Sequence, residues 1–164
     1  MKIQGEVIYT EMQSPLGCVT LAATERGLSG VWFEHQRHAP DMTGWQRDDM
    51  NATLLVAKTQ LGEYFSGKRN EFDMPLDLSH GTSFQQAVWN ALLTIPRGTT
   101  TSYGDLSRRC GNAAALRAVG GAVGRNPLSV VVPCHRVVGR DGSLTGYAGG
   151  LERKVSLLKL EGAL

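Results

Sequence analysis

No apolar run in these 164 residues approaches the roughly 20 needed to cross a bilayer, so no membrane helix is expected. The opening residues, Met1-Lys2-Ile3-Gln4-Gly5-Glu6, lack the apolar stretch of an export signal, and the expectation is a cytoplasmic protein without a membrane partner. Cysteine is scarce. Three residues, an odd number without CxxC spacing, fit free thiols in a reducing compartment and exclude a disulfide framework or a structural zinc site. Internal repeats and low-complexity segments are missing too, which removes fibres, solenoids and disordered tails from consideration. What is abundant is glycine, 20 residues, which favours a loop-rich globular enzyme of one compact domain or two small lobes.

The net charge of +2 conceals two halves of opposite sign. Residues 1–96 carry seven Lys/Arg and eleven Asp/Glu, a net −4, whereas residues 97–164 carry ten and four, a net +6. Only the second half suits a polyanionic partner, although a salt-bridged interface between lobes would use the same asymmetry.

The first 35 residues read as a β-meander: Val7–Thr10, Val19–Ala23 and Leu28–Phe33, separated by turns at Ser14-Pro15-Leu16-Gly17 and Glu25-Arg26-Gly27. Residues 35–48 read as a polar loop. Leu54, Leu55, Lys58, Leu61, Tyr64 and Phe65 have helical spacing, with Gly67 placed to end the helix. Residues 68–82 read as an extended strand and linker. Composition changes near residue 82, where Ser83-Phe84-Gln85-Gln86 reads as a capping box opening a helix that ends at Pro96-Arg97-Gly98. A short helix follows from Ser102 to Arg109, then a turn at Cys110-Gly111-Asn112, then a helix from Ala113 to Gly124. Two helices joined by a tight glycine turn have the outline of a helix-turn-helix, which many pairs without nucleic-acid partners share. The second of them is unusually bare: Ala118, Gly120 and Gly121 leave Arg117 as its one long polar side chain, a surface suited to close approach by a groove or by another helix. His35, His38 and His80 read as surface residues, and Lys154 as a solvated helix lysine.

The run Leu128-Ser129-Val130-Val131-Val132-Pro133-Cys134-His135-Arg136-Val137-Val138 carries the chemistry. Its β-branched residues predict a strand buried on both faces, and Pro133 predicts its end. Cys134 then stands at the exit with an imidazole beside it, a candidate nucleophile rather than an inert core thiol. A thiol needs a base or a cation to ionise near neutrality. Strand neighbours point to opposite faces, so Cys134 and His135 would meet only through the turn or through a water. The group that orients His135 is Asp141, Glu152 or Glu161; spacing does not choose among them. The Gly-rich segment Thr145 to Gly150 is suited to wall a flat pocket, and a last helix spans Leu151 to Leu160.

Together, Pro133-Cys134-His135-Arg136-Val137-Val138, Asn126-Pro127, Gly146-Tyr147-Ala148-Gly149-Gly150 and Glu161-Gly162 resemble the O6-alkylguanine-DNA alkyltransferases. The likeness continues through Phe84-Gln85-Gln86-Ala87-Val88-Trp89, Ile95-Pro96, Ser102-Tyr103-Gly104 and Arg117-Ala118-Val119-Gly120, and Ser14-Pro15-Leu16-Gly17 matches the start of the N-terminal lobe.

The resemblance implies an α+β or α/β fold. An RNase H-like β-meander lobe (residues 1–78) would be followed by a winged-helix-like helix-turn-helix alkyltransferase domain (residues 79–164). It implies a single-turnover repair protein that binds double-stranded DNA through the minor groove, as a monomer or cooperatively. It would flip an alkylated guanine, and accept an alkyl group from O6 of guanine or O4 of thymine on Cys134. His135 would deprotonate Cys134 through a water, Glu161 would orient His135, and Asn126 would order the segment before the cysteine. Tyr103 would rotate the target phosphate and protonate the departing base, and Arg117 would fill the vacated stack. Ala118, Gly120 and Gly121 would face DNA. Val137, Tyr147, Ala148 and Gly149 would contact the base. No cofactor and no metal are expected.

Ala148, Ser129 and Thr145 depart from relatives that carry Ser, Pro and Gly at these positions, and the latter two would narrow the pocket. Leu116 is larger than the alanine expected there and is placed in the core. Two other classes compete: a damage-binding protein of the same fold, disfavoured by the intact Cys134, and a Cys-His hydrolase, disfavoured by the basic helix pair.

Overall fold

The computed structural model describes residues 2–164, which form two compact units divided between His80 and Gly81. In the first unit, β1 (Ile8–Ser14), β2 (Gly17–Thr24) and β3 (Gly27–Phe33) form the antiparallel meander. The sheet order is β3-β2-β1-β4. Strand alternation puts Ala22 and Trp32 on one face, where they join Ile3 and Val7, with Tyr9 and Trp45 packed against them. Gly30 is required here, because a Cβ on it would meet the Trp32 ring at 1.9 Å. Helix α1 (Ala52–Phe65) packs on the sheet and buries Leu54, Ala57, Leu61 and Tyr64; the Asn51 side chain caps it by accepting from the Leu54 N–H.

Three expectations are corrected in this unit. The polar stretch 35–48 contains a short strand, β4 (Gln46–Arg47), which runs parallel to β1 through backbone bonds such as Gln46 N–H to the Val7 carbonyl. Its side chains are exposed, so no apolar pattern marks it. The expected extended strand within 68–82 is reduced to one parallel bridge, Leu28 with Leu76. His80 is not a free surface residue: its Nε2 lies 3.1 Å from Asp77 Oδ2 and its Nδ1 accepts from the Gln4 N–H. Burial opposes ionisation of Asp77, but the Ser79 and Thr24 hydroxyls, the Ser79 N–H and His80 outweigh it and hold the carboxyl pKa at about 2.

The second unit is mainly helical. Helix α2 (Ser83–Leu92) is capped one residue earlier than the sequence suggests: Thr82 Oγ1 accepts from Gln85 N–H while Gln85 Oε1 accepts from Thr82 N–H. Gln86 is withdrawn from the box because its amide donates to the Gly81 carbonyl. The helix also ends before Pro96, at Leu92. Helices α3 (Tyr103–Arg109) and α4 (Leu116–Gly124) pack with α2, and Trp89 Nε1 donates to the Ala122 carbonyl at 2.8 Å, tying α2 to α4. Residues 113–115 precede α4 as a turn rather than opening it, since Ala115 N–H is held by the Asn112 carbonyl. Strand β5 (Thr101–Ser102) pairs in parallel with β6 (Val137–Val138), and α5 (Leu151–Leu160) packs on the short 3-10 turn Cys134–Arg136. Among the described residues no helix is long and apolar enough to cross a membrane.

Candidate active site

The segment leading to Cys134 is buried as expected, but it is not a strand. Residues 129–131 form a tight turn in which Val132 N–H donates to the Leu128 carbonyl at 2.8 Å and Val130 takes φ +74. A β-branched residue in left-handed backbone is costly and persists only where its surroundings impose it. Asn126 does so. Its Oδ1 accepts from Leu128 N–H at 2.9 Å and its Nδ2 donates to the Val132 carbonyl at 2.8 Å, clamping both ends of the turn. Pro133 therefore ends no strand; it is the residue before the 3-10 turn that carries Cys134, His135 and Arg136.

Glu161 gathers the other side chains of that turn. Helix α5 closes at Glu161 because Gly162, at φ +76, lets Gly162 N–H and Ala163 N–H bond back to Lys159 and Leu158, a Schellman ending. The Glu161 side chain is fully buried, 2.9 Å from His135 Nε2 and doubly bonded by Arg136 Nε and Nη2 at 2.8 Å each. Arg136 Nη1 also donates to the Ile95 carbonyl. Of the three carboxylates the sequence left open, geometry selects Glu161; Asp141 and Glu152 are exposed.

This pairing fixes the imidazole. A carboxylate only accepts, so His135 Nε2 carries the proton and Nδ1 keeps its lone pair. Nδ1 is buried and has no hydrogen-bond partner among the described residues. Burial lowers the His135 pKa, while the Glu161 bond and charge act the other way. Burial pushes the Cys134 thiol up; the Asn126 side chain, the Lys154 charge and the Tyr147 hydroxyl each pull it partly back. The site thus holds a neutral base and a thiol that needs one.

Lys154 corrects the reading of a solvated lysine. It is 0 % exposed, and its Nζ donates to the carbonyls of Val137 (2.6 Å), Thr145 (2.9 Å) and Gly146 (3.4 Å). Burial lowers its pKa and proximity to Cys134 raises it. The signal was in the sequence: Lys154, Leu157, Leu158 and Glu161 follow the i, i+3, i+4, i+7 spacing of one helix face, so the leucine stripe carries both charges inward. Arg136, to which the sequence assigns no role, is the second partner of Glu161. The Val137 carbonyl, expected to read the base, already accepts from Lys154 and keeps one lone pair for a ligand.

Tyr103 opens α3 directly after β5, whose pairing with β6 holds it beside the cysteine segment. It is half-buried; burial raises its pKa, a Thr145 hydrogen bond lowers it, and the Cys134 charge raises it further. Tyr147 and Ala148 are half-buried and Gly149 is buried in the turn Tyr147–Gly150. On α4, Arg117, Ala118 and Gly121 are exposed and Gly120 partly so; Leu116 is 51 % exposed rather than in the core. A Cβ added at Gly120, Gly121 or Gly124 would meet nothing within 4 Å, so packing within the chain does not demand these glycines. Each costs roughly 0.5–1 kcal/mol of helix stability relative to alanine, and what they leave is room for something outside.

Residues 83–163 match the family described as the DNA binding domain of 6-O-methylguanine DNA methyltransferase, and residues 7–78 match its ribonuclease-like domain. The chain is 48% identical over 153 residues to the methylated-DNA–protein-cysteine methyltransferase of Mycolicibacterium paratuberculosis, covering 93% of this chain and 91% of that protein. It is 45% identical over 158 residues to the protein of the same name from Methanosarcina acetivorans, covering 94% and 98%. Its fold is similar to that of Mycobacterium tuberculosis OGT solved in complex with DNA, with a TM-score of 0.88 and 46% identity over 95% of this chain and 93% of the other.

Proposed function

The chain belongs to the O6-methylguanine-DNA methyltransferase family and carries out direct-reversal repair of alkylated guanine, and from that premise we propose that Cys134 is the alkyl acceptor. The observation that carries this reading is the buried His135–Glu161 pair behind Cys134, with Nδ1 held as an open acceptor. A water between them passes the thiol proton to Nδ1. The sulfur then attacks the alkyl carbon from behind; the carbon–sulfur bond forms as the carbon–O6 bond breaks. The departing electron pair stays on guanine, which takes a proton from the Tyr103 hydroxyl. A thioether offers no bond that water can readily cleave, so each molecule reacts once. O4-alkylated thymine presents the same displaceable group. A free thiol nucleophile fits a reducing cytoplasm.

DNA is the partner that the basic second half and the bare α4 face suit. Chemistry on a base edge requires extrusion of the base, at a cost of a few kcal/mol. Arg117, exposed on a helix otherwise shaved of side chains, enters the vacated stack from the minor groove and offsets part of that cost. One protein molecule per lesion is sufficient for this geometry.

Duplex DNA carrying O6-methylguanine, mixed in excess over the protein and followed by intact mass and peptide mapping, is expected to leave one methyl group on Cys134. Repaired DNA with unmodified protein would sink the reading. Arg117→Ala is expected to slow repair of duplex DNA about tenfold, the equivalent of 1.4 kcal/mol, while leaving reaction with free O6-methylguanine unchanged. Equal losses on both substrates would remove Arg117 from base extrusion.

A further inference from the structure

Two cations stand where helix electrostatics disfavours them. Helix α5 begins at Leu151, so Arg153 and Lys154 lie in its opening residues, at the end of the helix dipole that attracts anions. Among the described residues no side chain caps this terminus; the preceding residue is Gly150 at φ +95. Charges placed against a local rule mark positions where another requirement prevails. Both side chains turn back onto the Gly-rich loop. Arg153 Nη1 donates to the Gly149 carbonyl at 2.9 Å, and Lys154 Nζ donates to the Thr145 and Gly146 carbonyls at 2.9 and 3.4 Å. Between these anchors lies the turn closed by Gly150 N–H on the Tyr147 carbonyl at 2.9 Å. Gly150 N–H shares the peptide plane of the Gly149 carbonyl that Arg153 holds, so its bond to the Tyr147 carbonyl also fixes the Tyr147–Ala148 peptide, while Lys154 holds the Gly146–Tyr147 peptide. Ala148 has no polar side chain, so any hydrogen bond it donates comes from its backbone N–H, whose direction the fixed Tyr147–Ala148 peptide sets.

We propose that Arg153 is a positioning residue for alkyl transfer: through the Gly149 carbonyl and the Gly150 N–H of the same peptide, its guanidinium aims the Ala148 N–H at O6 of the target guanine. This rests on the reading that Cys134 is the acceptor and that the 147–149 turn faces the base. O6 gains negative charge as its bond to the alkyl carbon breaks. Donors fixed in advance stabilise that charge more in the transition state than in the ground state, and a loop left to wander forfeits the difference. A lysine at 153 still offers a charged donor to the same carbonyl, without the planar fork.

Single-turnover methyl transfer from O6-methylguanine duplex, measured across DNA concentrations alongside thermal unfolding, tests the proposal. Arg153→Ala is expected to lower the maximal rate constant about tenfold, about 1.4 kcal/mol of transition-state stabilisation, with the half-saturating DNA concentration unchanged. Arg153→Lys is expected to recover most of the rate. A wild-type maximal rate in Arg153→Ala overturns the proposal. So does a raised half-saturation at unchanged maximal rate, which would make Arg153 a phosphate contact. A lysine variant as slow as alanine, with both melting early, would reduce Arg153 to a structural role. If the alanine variant does not fold, Arg153→Gln and Arg153→Lys carry the same comparison. Absence of methyl on wild-type Cys134 would defeat the parent reading instead, and the two failures are distinguishable.

Discussion

Glu161→Ala is expected to abolish methyl transfer and to destabilise the second unit by about 3–5 kcal/mol, the usual cost of leaving a buried charge without its partner. Arg136 makes two of its three hydrogen bonds to this carboxylate and would keep only the Ile95 carbonyl. His135 would lose the bond that fixes its tautomer. Against a typical total stability of about 5–15 kcal/mol, the loss is large, and a melting temperature lower by roughly 10–40 °C follows for a unit of this size. Glu161→Gln separates the two effects. Its amide oxygen still accepts, but its NH2 group meets a donor from Arg136 or His135, so the protein folds with partial loss of stability while transfer falls steeply. Thermal unfolding and single-turnover rates on both variants measure this directly. A Glu161→Ala protein with wild-type melting and rate would show that neither Arg136 nor His135 depends on it.

The same residue shows what the sequence made legible. Periodicity placed α5 and its leucines correctly, and that periodicity also put Lys154 and Glu161 on the inward face. A lysine among surface-looking neighbours nonetheless reads as solvated, because a propensity argument has no term for three backbone carbonyls waiting at its tip. The meander, its two tight turns and the helix pair are readable because each is local. The strand reading of Leu128–Val132 failed for a related reason. Consecutive β-branched residues favour extended backbone, but here Asn126, two to six residues away, supplies hydrogen bonds that a strand partner would otherwise give. The turn it enforces puts Cys134 on a 3-10 turn against α5, which a strand exit would not have done. β4 is invisible in the sequence because two exposed residues paired through the backbone leave no mark in side-chain pattern.

These placements give the site a division of labour among its charges. Glu161 and Arg136 neutralise each other and leave His135 as a neutral base, while the Lys154 ammonium partly offsets the cost of ionising a buried thiol. An unperturbed thiol near pH 8.5 is about 3% ionised at pH 7, and burial takes Cys134 below that fraction. Reaction through pre-ionised thiol alone would therefore climb about tenfold for each pH unit until the thiol titrates. Transfer through His135 behaves differently. It needs the thiol protonated and the imidazole neutral, and both conditions hold between the lowered His135 pKa and the raised Cys134 pKa. The wild-type rate is expected to be flat from about pH 7 to 8.5 and to fall only in acid, as His135 takes a proton. His135→Asn keeps a donor for Glu161 but has no basic nitrogen. It is expected to lose at least about thirtyfold at pH 7, the inverse of the thiolate fraction, and to show the tenfold-per-unit slope across the window where the wild type is flat. Single-turnover rates in buffers of constant ionic strength decide between the two. A sloping wild-type profile, or a flat one in His135→Asn, would remove His135 from the proton path and leave Lys154 as the group that makes the thiolate.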